Sequence, residues 1–217
     1  MKNDSIKTKV LSVKIIPSAS PYLLKALKVP QNDFSLGIIT TDCDDVSYTA
    51  LDEATKKASV NVVYAKSMYA GSSNASTKLA GEFIGILSGP DPEEVRSGLD
   101  AAICFIENDA CFYSADDKDE IVYFAHCISR TGRYLSKMAK VEEGTPMAYL
   151  VAPPGEALYA LDAALKVSDV QMKVFYGPPT ETNFAGALLV GDQAACQAAC
   201  EAFAEKVSYV ADNSLIY

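Results

Sequence analysis

Apolar positions along this chain change period several times, and the order of the changes predicts its elements. Val10–Ile16 alternates as a half-buried strand does, Pro17 and Pro21 punctuate its end, and a short helix follows over residues 22–28 before Pro30 stops it. Residues 36–41 are a short apolar strand. Three carboxylates, Asp42, Asp44 and Asp45, come next in a polar turn, followed by a helix-period segment over 48–58 and a β-branched run over 60–64. The stretch 65–81 is small and polar with no strong period, so it reads as a loop long enough to serve function or motion. A strand at 82–88 and a proline-opened helix with early acids, GPDPEEVRSGLDAAICFIEN, complete the first half.

The second half repeats the first. A polar turn, SADDKDE, leads into a strand at 121–128, a short helix at 134–140 and then MAYLVAPPGEALYALDAALKVSDVQMKVFY from Met147. Ala50, Leu51, Asp52, Ala54, Lys56 and Val60 recur as Ala160, Leu161, Asp162, Ala164, Lys166 and Val170. Tyr22, Leu23, Lys25, Lys28 and Val29 recur as Tyr134, Leu135, Lys137, Lys140 and Val141. Two sets of identities at nearly equal offsets predict two copies of one domain, 1–110 and 111–217. The counterpart of the long loop is GPPTETNFAG at 177–186, shorter and stiffer, and a strand at 187–190 and a helix over 193–209 end the chain. Each copy thus has about four strands and two longer helices, which predicts an α+β fold with helices on one side of an antiparallel sheet in ferredoxin-like order.

Composition narrows the classes. At 217 residues and 49% apolar, the chain can close two modest cores, and no stretch approaches the roughly 18 to 20 continuous apolar residues of a membrane span. The N-terminus lacks the pattern of a secretory signal. The six cysteines, Cys43, Cys104, Cys111, Cys127, Cys196 and Cys200, form no CxxC framework, so reduced thiols and a cytoplasmic address are expected. A net charge of −9 without a basic cluster argues against nucleic acid and anionic membrane as partners. A small cation suits the chain better.

Few residues invite chemistry. Asp42, Asp44 and Asp45 at a strand end read equally well as a solvated, helix-capping turn and as a cation site. Their counterparts are Ala152, Pro154 and Gly155, so the repeated architecture does not require acids there. Glu82 likewise has no acidic counterpart. His126 and Cys127 adjoin within a strand and point to opposite faces, poor geometry for a shared metal. Cys196 and Cys200 sit in alanine-rich helix and read as small core residues. No phosphate loop, GxGxxG or catalytic signature is present, so no cofactor, no metal and no catalytic residue is expected.

The tandem copies, the DCDDVSYTALDEATK run, MAYLVAPP, ISRTGRYLS from Ile128 and PPTETN from Pro178 together resemble the EutL family, the ethanolamine-utilisation shell proteins of bacterial microcompartments. The resemblance covers nearly the whole chain. It implies two tandem, circularly permuted BMC domains, a homotrimer forming a flat pseudohexameric tile, a gated central pore, and other shell proteins as partners. The permutation suits the element order, since each copy begins with the strand that ends an unpermuted domain. The resemblance further implies that Asp45, Glu82, Phe112 and Thr182 surround a small pore that takes ethanolamine or a similar cation, with Asp44, Glu156 and Glu181 as acidic lining. A soluble metabolite-sensing regulator built from two ferredoxin-like domains is the alternative, and a thiol enzyme using Cys127 and His126 comes third.

Overall fold

The structure, a computed structural model, describes residues 1–68, 77–178, 180 and 182–216. The chain divides into two compact units, one made of Lys7–Ala110 with Gly132–Leu135, the other of Met1–Ile6, Cys111–Thr131 and the residues from Ser136 onward.

In the unit built on Lys7–Ala110, four antiparallel strands lie in the order β2-β3-β5-β4: β2 is Val10–Ile16, β3 Ser35–Thr41, β4 Asn61–Ser67 and β5 Phe83–Gly89. Helix α1, Pro21–Ala26, links β2 to β3, α2, Asp44–Lys57, links β3 to β4, and α3, Pro92–Asn108, follows β5. Because β5 lies between β3 and β4, β3, α2 and β4 form a split βαβ unit, with β2 at the outer edge beside β3. Helices α2 and α3 pack on one face of the sheet. Gly37 permits this on β3, since a Cβ there would stand 2.6 Å from Val95 Cγ1 and 2.9 Å from Leu99 Cδ1 of α3. Leu36, Ile39, Leu51, Leu87, Leu99 and Ile106 are essentially without exposure and form the core.

This unit also takes in Gly132–Leu135. The carboxylate of Asp52, fully buried on α2, accepts the N–H groups of Gly132 at 2.6 Å and Leu135 at 2.8 Å. Thr55 Oγ1 accepts the N–H of Arg133 at 3.0 Å, and the Arg133 guanidinium donates to the Val60 carbonyl at 2.7 Å. Side chains from one helix thereby cap the start of another, α4, Arg133–Ala139.

In the other unit the strands run β1-β6-β7-β8-β10-β9, with β1 Ser5–Ile6, β6 Phe112–Ser114, β7 Val122–Ile128, β8 Met147–Ala152, β9 Gln171–Tyr176 and β10 Ala185–Val190. The last four repeat the order of the first sheet, and the β1 and β6 pair extends it. Helices α5, Pro154–Val167, and α6, Gln193–Asp212, pack on one face against Ala148, Leu150 and Ala187, around Phe203 and the buried Cys196 and Cys200. The other face carries an aromatic row in which Phe112 stacks on Phe124 at 5.4 Å, Phe124 meets Tyr149 edge-on at 5.5 Å, and Tyr149 stacks on Tyr176 at 6.0 Å.

The structure corrects three readings of the sequence. Helix α2 begins at Asp44 rather than near Tyr48, because Cys43 is extended (φ −151°, ψ 132°) and the positive helix end accommodates Asp44 and Asp45 in its first turn. Strand β4 continues to Ser67, so the start of the supposed loop 65–81 is strand, while residues 69–76 lie outside the described residues. Phe112, at the start of the second copy where the sequence pattern predicts no strand, belongs to β6, which pairs with β1 and β7.

Candidate functional site

The end of β3 and the start of α2 gather the acids. Thr41 closes the strand with a buried hydroxyl contact to Ser47 Oγ at 2.6 Å, and Ser47 Oγ donates to the Cys43 carbonyl at 2.7 Å, which fixes the first turn of α2. Asp42 faces back to the neighbouring strand. Its carboxylate accepts the Lys9 N–H at 2.7 Å and its own N–H donates to the Lys9 carbonyl at 3.2 Å, so Asp42 is a structural acid that extends the ladder.

Asp44 and Asp45 differ from it in burial, at 8% and 7% exposure. Asp44 Oδ1 accepts the Asp45 N–H at 2.9 Å. Glu82 is delivered to the same place from β5's approach: its N–H donates to the Thr41 carbonyl at 2.9 Å, and its carbonyl accepts the Met68 N–H at 2.6 Å. Burial pushes the Asp44 carboxyl above the ordinary carboxylate range. Burial, then the negative charges of Asp44 and Asp42, push Glu82 up as well. The Cys43 thiol beside them is driven up by burial and by the charges of Asp45 and Asp44, which makes it inert as a nucleophile. Among the described residues neither Asp44 nor Glu82 has an ion-pair partner.

One polar group here was not singled out from sequence. Ser67 Oγ at the end of β4 is buried and lies beside the Asp44 carboxylate, which it helps to hold charged. Its position becomes visible only once β4 is known to reach Ser67 and pair it with Phe83.

The remaining predicted residues lie in the other unit. Phe112 is 6% exposed, and its ring is held between Phe124 and Phe184, the latter at 5.9 Å. Thr182 is half-buried in a tight turn where the Asn183 N–H donates to the Thr180 carbonyl at 3.2 Å, with Asn183 at φ 62° and Thr180 Oγ1 donating to the Phe184 carbonyl at 2.9 Å. Glu156 is half-buried in the first turn of α5. Glu181 lies outside the described residues. Thus Glu82 lies beside Asp44 and Asp42 within one unit, with Asp45 adjoining Asp44 on α2, and Phe112 shares a stack with the residue two places beyond Thr182 within the other.

The thiols and the histidine form no second site. His126 stacks on Phe124 at 5.6 Å, whereas Cys127 on the opposite face reaches the Gln193 carbonyl at 3.9 Å. Burial pushes Cys127 up, Cys196 to about 11, and Cys200 higher still. Among the described residues no group of His, Cys, Asp and Glu could hold a metal ion, and no helix is long and apolar enough to cross a membrane.

Comparison with known proteins accords with this fold. The BMC domain model matches residues 35–115. The bacterial microcompartment shell protein EutL of Clostridium perfringens is 65% identical over 215 residues, covering 99% of each chain. EutL of Escherichia coli is 50% identical over 212 residues, covering 98% of this chain and 97% of its own. The crystal structure of ethanolamine utilization protein EutL from Leptotrichia buccalis superposes with a TM-score of 0.98 at 63% identity, covering 100% of both chains. With identity and fold agreeing from end to end, this chain belongs to the EutL family of bacterial microcompartment shell proteins.

Proposed function

We propose that the chain is a structural tile of an ethanolamine-utilisation microcompartment shell. Three chains, each with tandem BMC domains over 1–110 and 111–217, form a pseudohexameric trimer with a gated central pore, and meet other shell proteins at its edges. Within each chain a small acidic passage takes ethanolamine or a similar cation, with Asp45, Glu82, Phe112 and Thr182 as its contacts and Asp44, Glu156 and Glu181 as acidic lining. The role is structural rather than catalytic. Near-complete coverage of shell-protein relatives favours this reading over a soluble metabolite-sensing regulator.

The observation that carries the cation is the placement of half-buried Glu82 beside the charges of buried Asp44 and of Asp42, with buried Asp45 next to Asp44 in the first turn of α2. Packed acids repel one another, and an ammonium relieves that repulsion with about 4 kcal/mol of Coulomb attraction per close contact at an effective dielectric of about 20, before desolvation is subtracted. The neighbouring alcohol of an amino alcohol needs a neutral hydrogen-bonding group, a role for the Thr182 hydroxyl.

Calorimetry tests the reading. Ethanolamine should bind and ethylene glycol, of similar size but neutral, should bind much more weakly. Asp45→Asn with Glu82→Gln keeps shape and hydrogen bonding while removing two charges, and should weaken ethanolamine binding by more than about tenfold, about 1.4 kcal/mol. Equal affinity in the wild type and the double variant would return the acids to a helix-capping turn.

A further inference from the structure

Equivalent positions of the two repeats are not always filled alike. Asp52 is fully buried, whereas the side chain of its counterpart Asp162 is 64% exposed. A second difference leaves a cleft. In the first repeat the turn from Pro30 ends on Asp33, a residue only 6% exposed, whose N–H donates to the Pro30 carbonyl at 3.0 Å. Its carboxylate accepts Asn61 Nδ2 at 2.9 Å and Ser88 Oγ at 2.5 Å, and Asn61 and Ser88 are themselves partners across β4 and β5. The chain's own carboxylate therefore closes this end of the sheet.

The second repeat keeps the backbone and drops the acid. In the matching turn the Thr145 N–H donates to the Glu142 carbonyl at 3.2 Å, and Gln171 and Val190 are partners across β9 and β10. Thr145 thus stands for Asp33, Gln171 for Asn61 and Val190 for Ser88. Thr145 Oγ1 donates to the Glu142 carbonyl at 2.7 Å, back into its own turn, and Val190 brings no hydroxyl. Both edge strands bulge at one place, with Val63 between the paired Val62 and Tyr64, and Lys173 between the paired Met172 and Val174. A bulge re-aims its side chain, and here the repeat exchanges an apolar group for an ammonium. Lys173 Nζ donates to Gln171 Oε1 at 3.2 Å, which leaves Gln171 Nε2 as a donor, the group that Asn61 gives to Asp33.

What remains is a cleft of about 570 Å³, the size of many small-molecule sites, with Lys140 and Lys173 as its cations and with Val141 and the buried Val190 as apolar lining. Glu142 shares the lining, yet among the described residues no carboxylate lies within ion-pair distance of either ammonium. We propose that this cleft binds a small organic monocarboxylate. Lys140, Lys173 and Gln171 Nε2 take the carboxylate, as the first repeat takes that of Asp33, and Val141 and Val190 take the hydrocarbon chain. Glu142 repels anions of higher charge. All of these residues belong to one unit and the acids around Glu82 to the other, so the proposal does not depend on the cation reading above.

Saturation-transfer NMR on the whole chain tests it, with hexanoate, hexanol and inorganic phosphate as probes. Hexanoate should bind, and hexanol and phosphate should each bind about tenfold more weakly or not at all, since each lacks one half of the recognition. Lys173→Gln, at an exposed position, should weaken hexanoate about tenfold. Thr145→Asp returns a carboxylate to the position of Asp33 and should abolish hexanoate binding. Both variants should keep the circular dichroism of the parent. Hexanol or phosphate bound as tightly as hexanoate would overturn the monocarboxylate assignment. Hexanoate affinity unchanged by either substitution would overturn the site, and no saturation transfer to hexanoate in the parent chain would overturn the proposal as a whole.

Discussion

At the scale of single residues, close approach and buried charge decide what the chain tolerates. Gly132 lies so near α2 that a Cβ would stand 2.4 Å from Thr55 Oγ1 and 2.6 Å from the Asp52 backbone carbonyl, and the carbonyl cannot swing aside. Gly132→Ala should therefore cost about 1–3 kcal/mol, read as a lower denaturant midpoint with unchanged slope. Asp44 makes the opposite case. Its native proton affinity is raised by burial, so protonation favours the folded state: the stabilising contribution is fully present below the ordinary carboxylate value of 3.8 and is lost as pH rises through the raised native value. Asp44→Asn can still accept the Asp45 N–H and carries no charge, so without ligand it should melt above the wild type at pH 7 and close that gap as pH falls toward 4. A gap that does not change with pH would mean that the charge is not what strains the site.

At the scale of elements, most of the architecture was legible in the sequence. The short helix, and the period-3.6 helix with the strand that follows it, recur in the second copy at nearly one offset, and burial of one face needs little more than that pattern. Strands β1 and β6 escaped because two and three residues are too few to show a period. The first turn of α2 escaped because DCDD has the composition of a turn, and only the helix end's positive field makes it helix. Ser67 escaped with the end of β4, whose residues Ala65, Lys66 and Ser67 resemble loop more than strand. Asp52 and Asp162 were visible as a repeated pair, but their difference in burial was not, because it depends on what lies above each helix. The helices that close the two units are set by similar caps. Asp91 accepts the Glu93 and Glu94 N–H groups, both at 2.9 Å, and Asp192 accepts that of Ala195 at 2.7 Å. Asp91→Ala and Asp192→Ala should each cost about 1 kcal/mol, or about 2–4 °C in melting temperature for a chain of this size. No change in either variant would mean that the side chains do not hold these helix starts.

At the scale of the whole molecule, exposed apolar surface and net charge describe a subunit. Tyr22, Phe34, Leu158, Tyr159 and Phe175 stand between 45% and 88% exposed on a chain of net charge −9, a combination that keeps an assembling protein soluble while leaving surface to cover. Overexpressed shell tiles should form sheets or hexagonally packed trimers in electron micrographs, which a soluble regulator would not do. The most direct measurement is the mass of the purified chain by light scattering at micromolar concentration. A tile made of tandem domains requires close to three times the 23.2 kDa of one chain, and a stable species of 23.2 kDa would contradict the account.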